Sequence, residues 1–359
     1  MKRAILFACV LAVIVAGWKS RVSAQAPAPG CAPAGGLTFI CGVQNPEDLV
    51  IVPNTSWLVA SGMAPGSGLH LVDTQAKAVR VAYGMGIAAV RADRTKFASC
   101  PGPLDPKLMV VHGLSIRPAQ PGRYTVYATN HGGRESIEVF ELDTRTRGIA
   151  PPVTWVGCVL MPGKMSANSV AAFSDGTILA TVLTRPDKTF EDALAGRITG
   201  VVLQWTPGAA GFRELPGTQL SANNGIETSP DDREFFVVSS TTKTIVAFAR
   251  NDTSKPRGTA QLKEFAPDNV RWMSDGTLIT AGMIDDEPAC GGAPKNAAGI
   301  RCSRGYMVAT IDPKTMAVTE IARGPATPAY TGTAIALRVG NELWLGSFNA
   351  DRIAYRAIK

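Results

Sequence analysis

Residues 167–181, ANSVAAFSDGTILAT, contain the signal of a β-hairpin. SDG at 174–176 has the composition of a tight turn, and the runs on both sides of it are apolar and β-rich. A second SDG at 274–276 and an SPDD at 229–232 stand in front of similar runs. Recurring hairpins of this kind predict a protein assembled from repeated antiparallel sheets.

The repeats also have a countable period. Asn168 and Asn224 are 56 residues apart, and Asn224 and Asn269 are 45 apart, which is the length of a structural unit rather than of a local motif. Roughly six units begin near residues 47, 112, 168, 224, 269 and 331. Each has room for four strands, and long helical periodicity is absent. The sequence therefore predicts an all-β fold, a six-bladed β-propeller with four-stranded blades around a central channel. A β-sandwich or an open repeat array is the alternative.

The two ends of the repeat region predict how the ring closes. LTFI at 37–40 precedes the first unit, and RIAY at 352–355 belongs to the last. Pairing of these two runs would close the ring and remove the exposed sheet edges.

The first residues have the pattern of a secretory signal. Lys2 and Arg3 precede an apolar stretch at 4–17, and VSA at 22–24 is a small-residue cleavage site. We therefore expect a signal peptide at 1–24 and a single propeller domain at 25–359. The apolar stretch is shorter than the roughly 20 residues of a spanning helix, so a retained membrane anchor is the weaker alternative.

The charge of the chain excludes one class of partner. Removal of the leader takes away four basic residues and no acidic one, so the formal net charge falls from +7 to +3. No basic cluster with interleaved aromatic residues remains, which argues against nucleic-acid binding. A periplasmic or secreted protein without stable membrane insertion is expected.

The cysteine count also fits export. One of the seven cysteines lies in the leader, and the other six are an even number, as disulfides in an oxidising compartment require. Many pairings are open, and we predict only Cys290 with Cys302, across a Gly/Ala-rich loop. A cysteine metal site is disfavoured because the chain contains no C-x-x-C pair.

Oxygen-bearing residues stand where several of the units begin. In a propeller the innermost strands run along the channel, so residues at their entrances converge on one point. The converging set is Glu47, Asn168, Asn224, Asp268 and Asn269. Calcium takes about six to eight oxygen ligands, and two carboxylates balance its charge, whereas zinc prefers His and Cys and magnesium keeps more water. The set predicts an axial calcium. Each residue singly has a structural alternative, because Asn and Asp before a strand are commonly turn residues.

Six short motifs in this order resemble the paraoxonase/arylesterase family. The motifs are NPEDL at 45–49, VHGL at 111–114, TNH at 129–131, ANSV at 167–170, ANNGI at 222–226 and PDNV at 267–270. With the blade count, the resemblance covers nearly the whole mature chain. The wider superfamily includes gluconolactonase-like and strictosidine-synthase-like propellers.

The resemblance implies two ions. The five axial residues would hold a catalytic calcium at the bottom of the active-site opening. A second, structural calcium would be held by Asp48, by the carbonyl of Leu114 and by an aspartate after the first axial asparagine. Ser169 stands at that last position, so the second site is expected to be weaker, filled by another ion or absent.

The chain has three histidines, and two of them fall on the family motifs. The resemblance implies that His112 and His131 form a general-base dyad, with His112 near the attacking water. An imidazole suits this task because its ordinary pKa lies near working pH. The alternative is a pair that orders the channel by hydrogen bonding. His70 is expected to be a strand residue without a catalytic role.

Together these features predict a calcium-dependent hydrolase of lactones or aryl esters. The ion would polarise the carbonyl, and water deprotonated by His112 would attack it. The chain has no G-x-S-x-G elbow, which argues against a serine esterase.

Three other functions stay open. A gluconolactonase-like enzyme would act on a sugar lactone. A strictosidine-synthase-like enzyme uses no metal and is disfavoured by the complete oxygen set. An exported propeller whose calcium only stiffens the channel would bind a partner without turnover.

Two long loops are expected to cover the opening, at 184–198 and 285–301. The predicted partner is a small-molecule lactone or ester. The sequence does not identify its acyl or aryl portion, and it does not predict the oligomeric state.

Overall fold

The computed structural model describes residues 30–146 and 148–358. The expected signal peptide at 1–24 lies outside these residues. Six sheets follow one another along the chain, all antiparallel except at one short edge strand, and the innermost strand of each sheet contacts the innermost strand of the next, so that the six form a ring. The predicted all-β, six-bladed propeller is confirmed.

The strands of the first half form the closing strand and three blades. β1 is Thr38–Cys41. Blade 1 contains β2 (Leu49–Ile51), β3 (Trp57–Gly62), β4 (Gly68–Asp73) and β5 (Ala78–Tyr83). Blade 2 contains β6 (Ala89–Val90), β7 (Val111–Gln120), β8 (Arg123–Asn130), β9 (Ser136–Asp143) and β10 (Val153–Leu160). Blade 3 contains β11 (Val170–Ala172), β12 (Ile178–Val182), β13 (Val201–Trp205) and β14 (Arg213–Glu214).

The second half forms the other three blades. Blade 4 contains β15 (Asn223–Thr228), β16 (Glu234–Ser239), β17 (Thr244–Ala249) and β18 (Gly258–Gln261). Blade 5 contains β19 (Phe265–Trp272), β20 (Leu278–Ile284), β21 (Tyr306–Ile311) and β22 (Val318–Gly324). Blade 6 contains β23 (Thr333–Val339), β24 (Glu342–Ser347) and β25 (Arg352–Ala357), with β1 as its fourth strand.

Blade 2 departs from the expected four strands. Its short β6 adds to the outer edge by parallel pairing with β10, where Val90 lies opposite Trp155. The disulfide between Cys100 and Cys158 fastens the long segment between β6 and β7 to the same β10. The outer edge of this blade is therefore covered by its own connection.

The hairpins predicted from the sequence are present. β11 pairs with β12, β15 with β16 and β19 with β20, each across the predicted turn. Gly176 and Gly276 have φ values of 85° and 82°, and Asp232 has 60°. These left-handed conformations explain why glycine and aspartate occupy the turns.

The ring closes as predicted. β1 pairs antiparallel with β25, and Thr38 lies opposite Tyr355 while Cys41 lies opposite Arg352. Ile40 on β1 belongs to an apolar cluster that also contains Trp344 of blade 6 and Leu58 of blade 1. The closing strand therefore contributes to the core between the last blade and the first.

Three disulfides are present among the described residues. Cys290 pairs with Cys302, which confirms the predicted bridge. The other two pairs, which the sequence left open, are Cys31–Cys41 and Cys100–Cys158. The first of these ties the last residue of the closing strand β1 to the segment that precedes it.

Helices are few and short in the described chain. α1 (Phe190–Leu194) lies in the first of the two predicted covering loops, and α2 (Ala297–Ile300) lies in the second. Two 3-10 helices occur at Pro106–Leu108 and Pro288–Cys290. No helix among the described residues is long and apolar enough to cross a bilayer.

We expect Ile40→Ala to destabilise the propeller by about 2–4 kcal/mol, because it leaves a cavity in the cluster that joins blade 6 to blade 1. Urea unfolding followed by tryptophan fluorescence measures this loss. Thr38→Ala on the same strand is the control, since Thr38 is only half-buried, and should cost less than about 1 kcal/mol. A loss for Ile40→Ala as small as that expected for the control would mean that β1 is not part of the cooperative core.

Candidate active site on the propeller axis

The predicted axial residues come together in the structure. A cavity of about 320 Å³ opens on the axis, and Glu47, Asn168, Asn224 and Asp268 lie in its wall together with His112. Asn269 is fully buried beside them, and its Nδ2 donates to Glu47 Oε1 at 2.5 Å. Residues separated by more than two hundred positions in the chain therefore share one small space.

β-Bulges aim several of these side chains at the axis. The pairing register of β7 shifts between Val111 and Leu114, which spans His112. The register of β15 shifts around Asn224, and that of β19 shifts around Asp268 and Asn269. A bulge interrupts the strict alternation of side chains and re-aims them. This is why consecutive residues such as Asp268 and Asn269 both reach the axial site.

Two glycines allow the inner strands to approach one another. A Cβ on Gly225 would lie 2.5 Å from the carbonyl oxygen of Asp268, and a Cβ on Gly113 would lie 2.8 Å from that of Asn168. Any side chain at either position would push apart the backbones that carry the axial residues. Close packing of the backbones thus explains why glycine occupies these positions in the two motifs.

Buried hydroxyls on the second strands hold the same backbones in place. Thr181 Oγ1 donates to the Asn224 carbonyl at 2.5 Å, and Thr280 Oγ1 donates to the Asn269 carbonyl at 2.7 Å. Thr129 Oγ1 accepts from the Gly113 N–H at 2.6 Å. Because these groups are shielded from water, the hydrogen bonds fix the positions from which the axial side chains project.

The axial oxygens are suited to a hard cation. Within the described chain, four buried oxygens in this set have no hydrogen-bond partner: Glu47 Oε2, Asn168 Oδ1, Asn224 Oδ1 and Asn269 Oδ1. They come from four different blades. A buried acceptor without a donor costs free energy, and a carboxylate costs more than an amide. Calcium ligation would satisfy all four, so the residues present fit the ion predicted for this site.

The electrostatics of Asp268 agree with a site built for positive charge. Burial raises the pKa of Asp268 well above its usual value, and the negative charge of Glu47 raises it further, while a hydrogen bond from Asn224 acts in the opposite direction. Two carboxylates held this close repel each other. A divalent cation between them would remove that repulsion.

Amide ligands would be essential to such a site. Among the described residues no group of three or more His, Cys, Asp or Glu side chains is arranged to hold a metal ion. The axial set contains two carboxylates, and its other oxygens belong to asparagines. This composition favours calcium over zinc or copper.

The two predicted histidines form a hydrogen-bonded chain with a carboxylate. His112 Nδ1 lies 2.9 Å from His131 Nε2, and His131 Nδ1 lies 3.0 Å from Glu135 Oε2. The Ser166 hydroxyl donates to the same oxygen of Glu135 at 2.9 Å. A carboxylate only accepts, so His131 donates to Glu135 from Nδ1 and accepts from His112 at Nε2. In neutral imidazoles this assigns the unprotonated nitrogen of His112 to Nε2.

The unprotonated Nε2 of His112 lies beside the axial site. It is 3.6 Å from Glu47 Oε2, and His112 lines the cavity. Burial lowers the pKa of His112, but the negative charge of Glu47 raises it, with further contributions from Asp48 and Glu135, and the net direction is upward. The imidazole is thus placed to accept a proton from a molecule in the cavity.

The third histidine lies elsewhere. His70 is on β4 of blade 1 and is buried, opposite Ala60 and Val81 in the sheet. Burial lowers its pKa to about 4. It is a strand residue, as expected, and does not line the axial cavity.

Apart from the axial residues, the wall of the axial cavity is mainly apolar. It includes side chains from both covering loops and from the strand ends, namely Met63, Leu183, Phe190, Leu194, Pro267, Met283, Pro294, Ile300 and Phe348. The capping box between Thr189 and Asp192 fixes the start of α1, from which Phe190 and Leu194 reach the cavity. A larger groove of about 720 Å³ beside Trp57, Tyr124 and Arg145 contains none of the predicted site residues.

The residues of the predicted second ion also lie near one another, but the oxygens of Asp48 and Leu114 already have donors, and only the Ser169 hydroxyl is without a partner among the described residues. Asp48 is fully buried, and its Oδ2 accepts from the Leu114 N–H at 2.7 Å and from Arg271 Nη2. The Leu114 carbonyl accepts from the same Nη2 at 2.8 Å. Ser169 is buried as well, and its backbone N–H is bonded to Thr181.

Several residues of the site were not predicted from the sequence. Arg271 had a signal, since it is a charged residue within an apolar strand run, next to the PDNV motif. Glu135 and Ser166 had none, because they reach His131 through loop geometry. The apolar walls depend on where two long loops fold back, which no local pattern encodes.

No protein-family model and no curated protein matches the sequence. Solved structures do match. A luciferin-regenerating enzyme is 12% identical with a TM-score of 0.50, covering 90% of this chain and 99% of its own. A provisionally assigned gluconolactonase is 14% identical with a TM-score of 0.50, covering 92% and 97%. Regucalcin of Agrobacterium tumefaciens, described as a calcium-binding protein, is 12% identical with a TM-score of 0.51, covering 90% and 94%. In fold, the chain is similar to six-bladed propellers of the gluconolactonase and regucalcin type, whereas the narrower paraoxonase resemblance stays a prediction.

Proposed function

We propose that this protein is a calcium-dependent hydrolase of apolar lactones or aryl esters. The observation that carries the proposal is the set of buried, unpartnered oxygens from four blades of the described chain, on Glu47, Asn168, Asn224 and Asn269; the first three residues line a cavity together with His112, and Asn269 is buried against Glu47. A hard cation and a proton acceptor at one position are the two elements that hydrolysis of an activated carbonyl needs. The similarity in fold to gluconolactonase-like and calcium-binding propellers agrees with this activity.

The axial residues and the histidine pair would have different roles in hydrolysis. When bound by the axial oxygens, calcium would polarise the substrate carbonyl and stabilise the negative charge that develops on its oxygen. His112 would accept the proton of the attacking water at Nε2. His131 and Glu135 would hold His112 in the required tautomer and stabilise the imidazolium. No covalent intermediate with the protein is needed.

The cavity walls favour an apolar substrate. Besides the polar axial residues, the cavity is lined by Phe190, Leu194 and Ile300 from the covering loops and by Met283 and Phe348. A sugar lactone carries several hydroxyls, each of which would lose its hydrogen bonds to water against such a wall. An aliphatic or aromatic acyl group would instead gain from burial.

Export is proposed on separate grounds. The three disulfides of the described chain are typical of an oxidising compartment, and the leader pattern at 1–24 would direct the protein there. The mature chain, 25–359, would then be one propeller domain that acts on small molecules in the periplasm or outside the cell.

The proposal is tested by hydrolysis of an aliphatic lactone, dihydrocoumarin, phenyl acetate and gluconolactone. Purified mature protein is assayed as prepared, after chelation, and after calcium is returned. We expect chelation to abolish turnover, calcium to restore it, and apolar substrates to exceed gluconolactone by about tenfold or more. Turnover that survives complete removal of calcium would overturn the mechanism. Bound calcium without any turnover would favour a binding propeller instead.

Asp268→Asn tests the axial site directly. The change keeps the shape of the side chain but removes one of two negative charges beside the ion, so calcium affinity and kcat/KM should each fall by about tenfold to 100-fold. Isothermal titration with calcium and the esterase assay measure these two losses. Asp275→Asn, at an exposed turn of the same blade, is the control and should change neither. Unaltered calcium affinity in Asp268→Asn would exclude Asp268 as a ligand.

His112→Gln separates proton transfer from ion binding. Glutamine cannot act as a base, so kcat should fall by about 100-fold or more while the calcium dissociation constant stays within about twofold. His70→Gln, a change at a buried histidine away from the cavity, should leave the kcat of the folded fraction unaltered. Full activity of the His112 variant would assign the proton transfer to another group.

A further inference from the structure

Arg271 is a nearly fully buried cation next to the axial site. It lies on β19, two residues after Asn269, and is 5% exposed. Its Nη2 donates to Asp48 Oδ2 and to the Leu114 carbonyl, the latter at 2.8 Å. Its Nη1 donates to the Val270 carbonyl at 2.7 Å and lies 3.7 Å from Glu227 Oε2. A guanidinium has five donors and no acceptor, so it satisfies several oxygens at once, as a metal ion would.

The oxygens that meet Arg271 come from different blades. Asp48 precedes β2 of blade 1, Leu114 is on β7 of blade 2, and Glu227 is on β15 of blade 4, while Arg271 itself belongs to blade 5. Burial raises the pKa of Asp48, an effect that Arg271 and the N–H groups of Leu114 and Leu49 oppose. The guanidinium therefore joins four of the six blades through two carboxylates, of Asp48 and Glu227, and one carbonyl, of Leu114.

Two of the oxygens at Arg271 are those expected to hold a second, structural calcium. The third expected ligand, a carboxylate, is replaced by Ser169. A divalent ion in contact with Asp48 and the Leu114 carbonyl would have to share both with a guanidinium that already binds them, and like charges would repel in a buried space. The residues present do not fit a second calcium.

We propose that the guanidinium of Arg271 takes the place of the second ion, as a cation supplied by the chain itself. The inner strands of blades 1, 2, 4 and 5 are then held together near the axis without a metal. This inference concerns the fold beside the axial site and does not depend on hydrolysis. Arg271 positions Asp48, and through it the neighbouring Glu47, but contacts no substrate.

The inference predicts that removing Arg271 and supplying a carboxylate will create a calcium site. Calcium per chain is measured by equilibrium dialysis and mass spectrometry in the wild type, in Ser169→Asp and in the double variant Arg271→Ser/Ser169→Asp. We expect the double variant to bind one calcium more than the wild type. Ser169→Asp alone should bind no more than the wild type, because its added carboxylate would pair with Arg271.

The test compares the calcium content of the double variant with that of the wild type. Its outcome therefore does not depend on whether the proposed function is correct. A wild type with no calcium would refute the axial site but not the role of Arg271, since the gain of one ion in the double variant would remain. Two calcium ions in the wild type would overturn the proposal. So would a folded double variant, judged by circular dichroism, that gains none.

Thermal unfolding supplies a second test that needs no folded double variant. Arg271→Met removes the charge but keeps much of the volume, and it leaves Asp48 buried without its partner. We expect Tm to fall by about 5 °C or more, both in calcium and in chelator. Arg233→Met, at a side chain that is 84% exposed, is the control and should lower Tm by about 1 °C or less. An Arg271→Met protein as stable as this control would contradict the proposal.

Discussion

Two consecutive carboxylates, Glu47 and Asp48, are almost completely buried where the inner strands of the propeller meet. A buried carboxylate costs free energy unless donors or positive charge satisfy its oxygens. The two carboxylates differ in their partners. Asp48 accepts a hydrogen bond from the guanidinium of Arg271, whereas one oxygen of Glu47 has no donor in the described chain. Asp48 therefore helps to hold the blades together, and Glu47 is available to a ligand that enters from the cavity.

The geometry of the propeller explains why neighbouring residues can have these different roles. Each inner strand delivers only one or two side chains to the axis, so a site of five oxygens requires contributions from several blades. Bulges at His112, at Asn224 and at Asp268 let neighbouring residues point to different places instead of alternating across the sheet. The same strand can then supply Asn269 to one buried cluster and Arg271 to another. The chemistry of the axis rests on local irregularity in an otherwise regular fold.

Local patterns in the sequence were sufficient for much of the fold. The turns at 174–176 and 274–276, the closing run at 37–40 and the Cys290–Cys302 pair were all predicted because each depends on a short stretch or on the logic of ring closure. The axial residues could be found because they recur at blade intervals. By contrast, Arg271 reaches Asp48 and Glu135 reaches His131 only after the blades are assembled. The fifth strand of blade 2 likewise arises from a long connection that folds back on β10.

Ring closure by β1 has a consequence for how the molecule folds. Among the described strands, the first in chain order pairs with the last, so the strand pairing with the greatest sequence separation is also the one that completes the ring. The loop-closure entropy for it must be overcome after the blades between have formed, and domains dominated by such non-local pairings fold slowly. Until then β25 presents an unpaired edge that can recruit a strand from another chain. The bridge from Cys31 to Cys41, the last residue of β1, restricts the conformations that this strand samples before the ring closes.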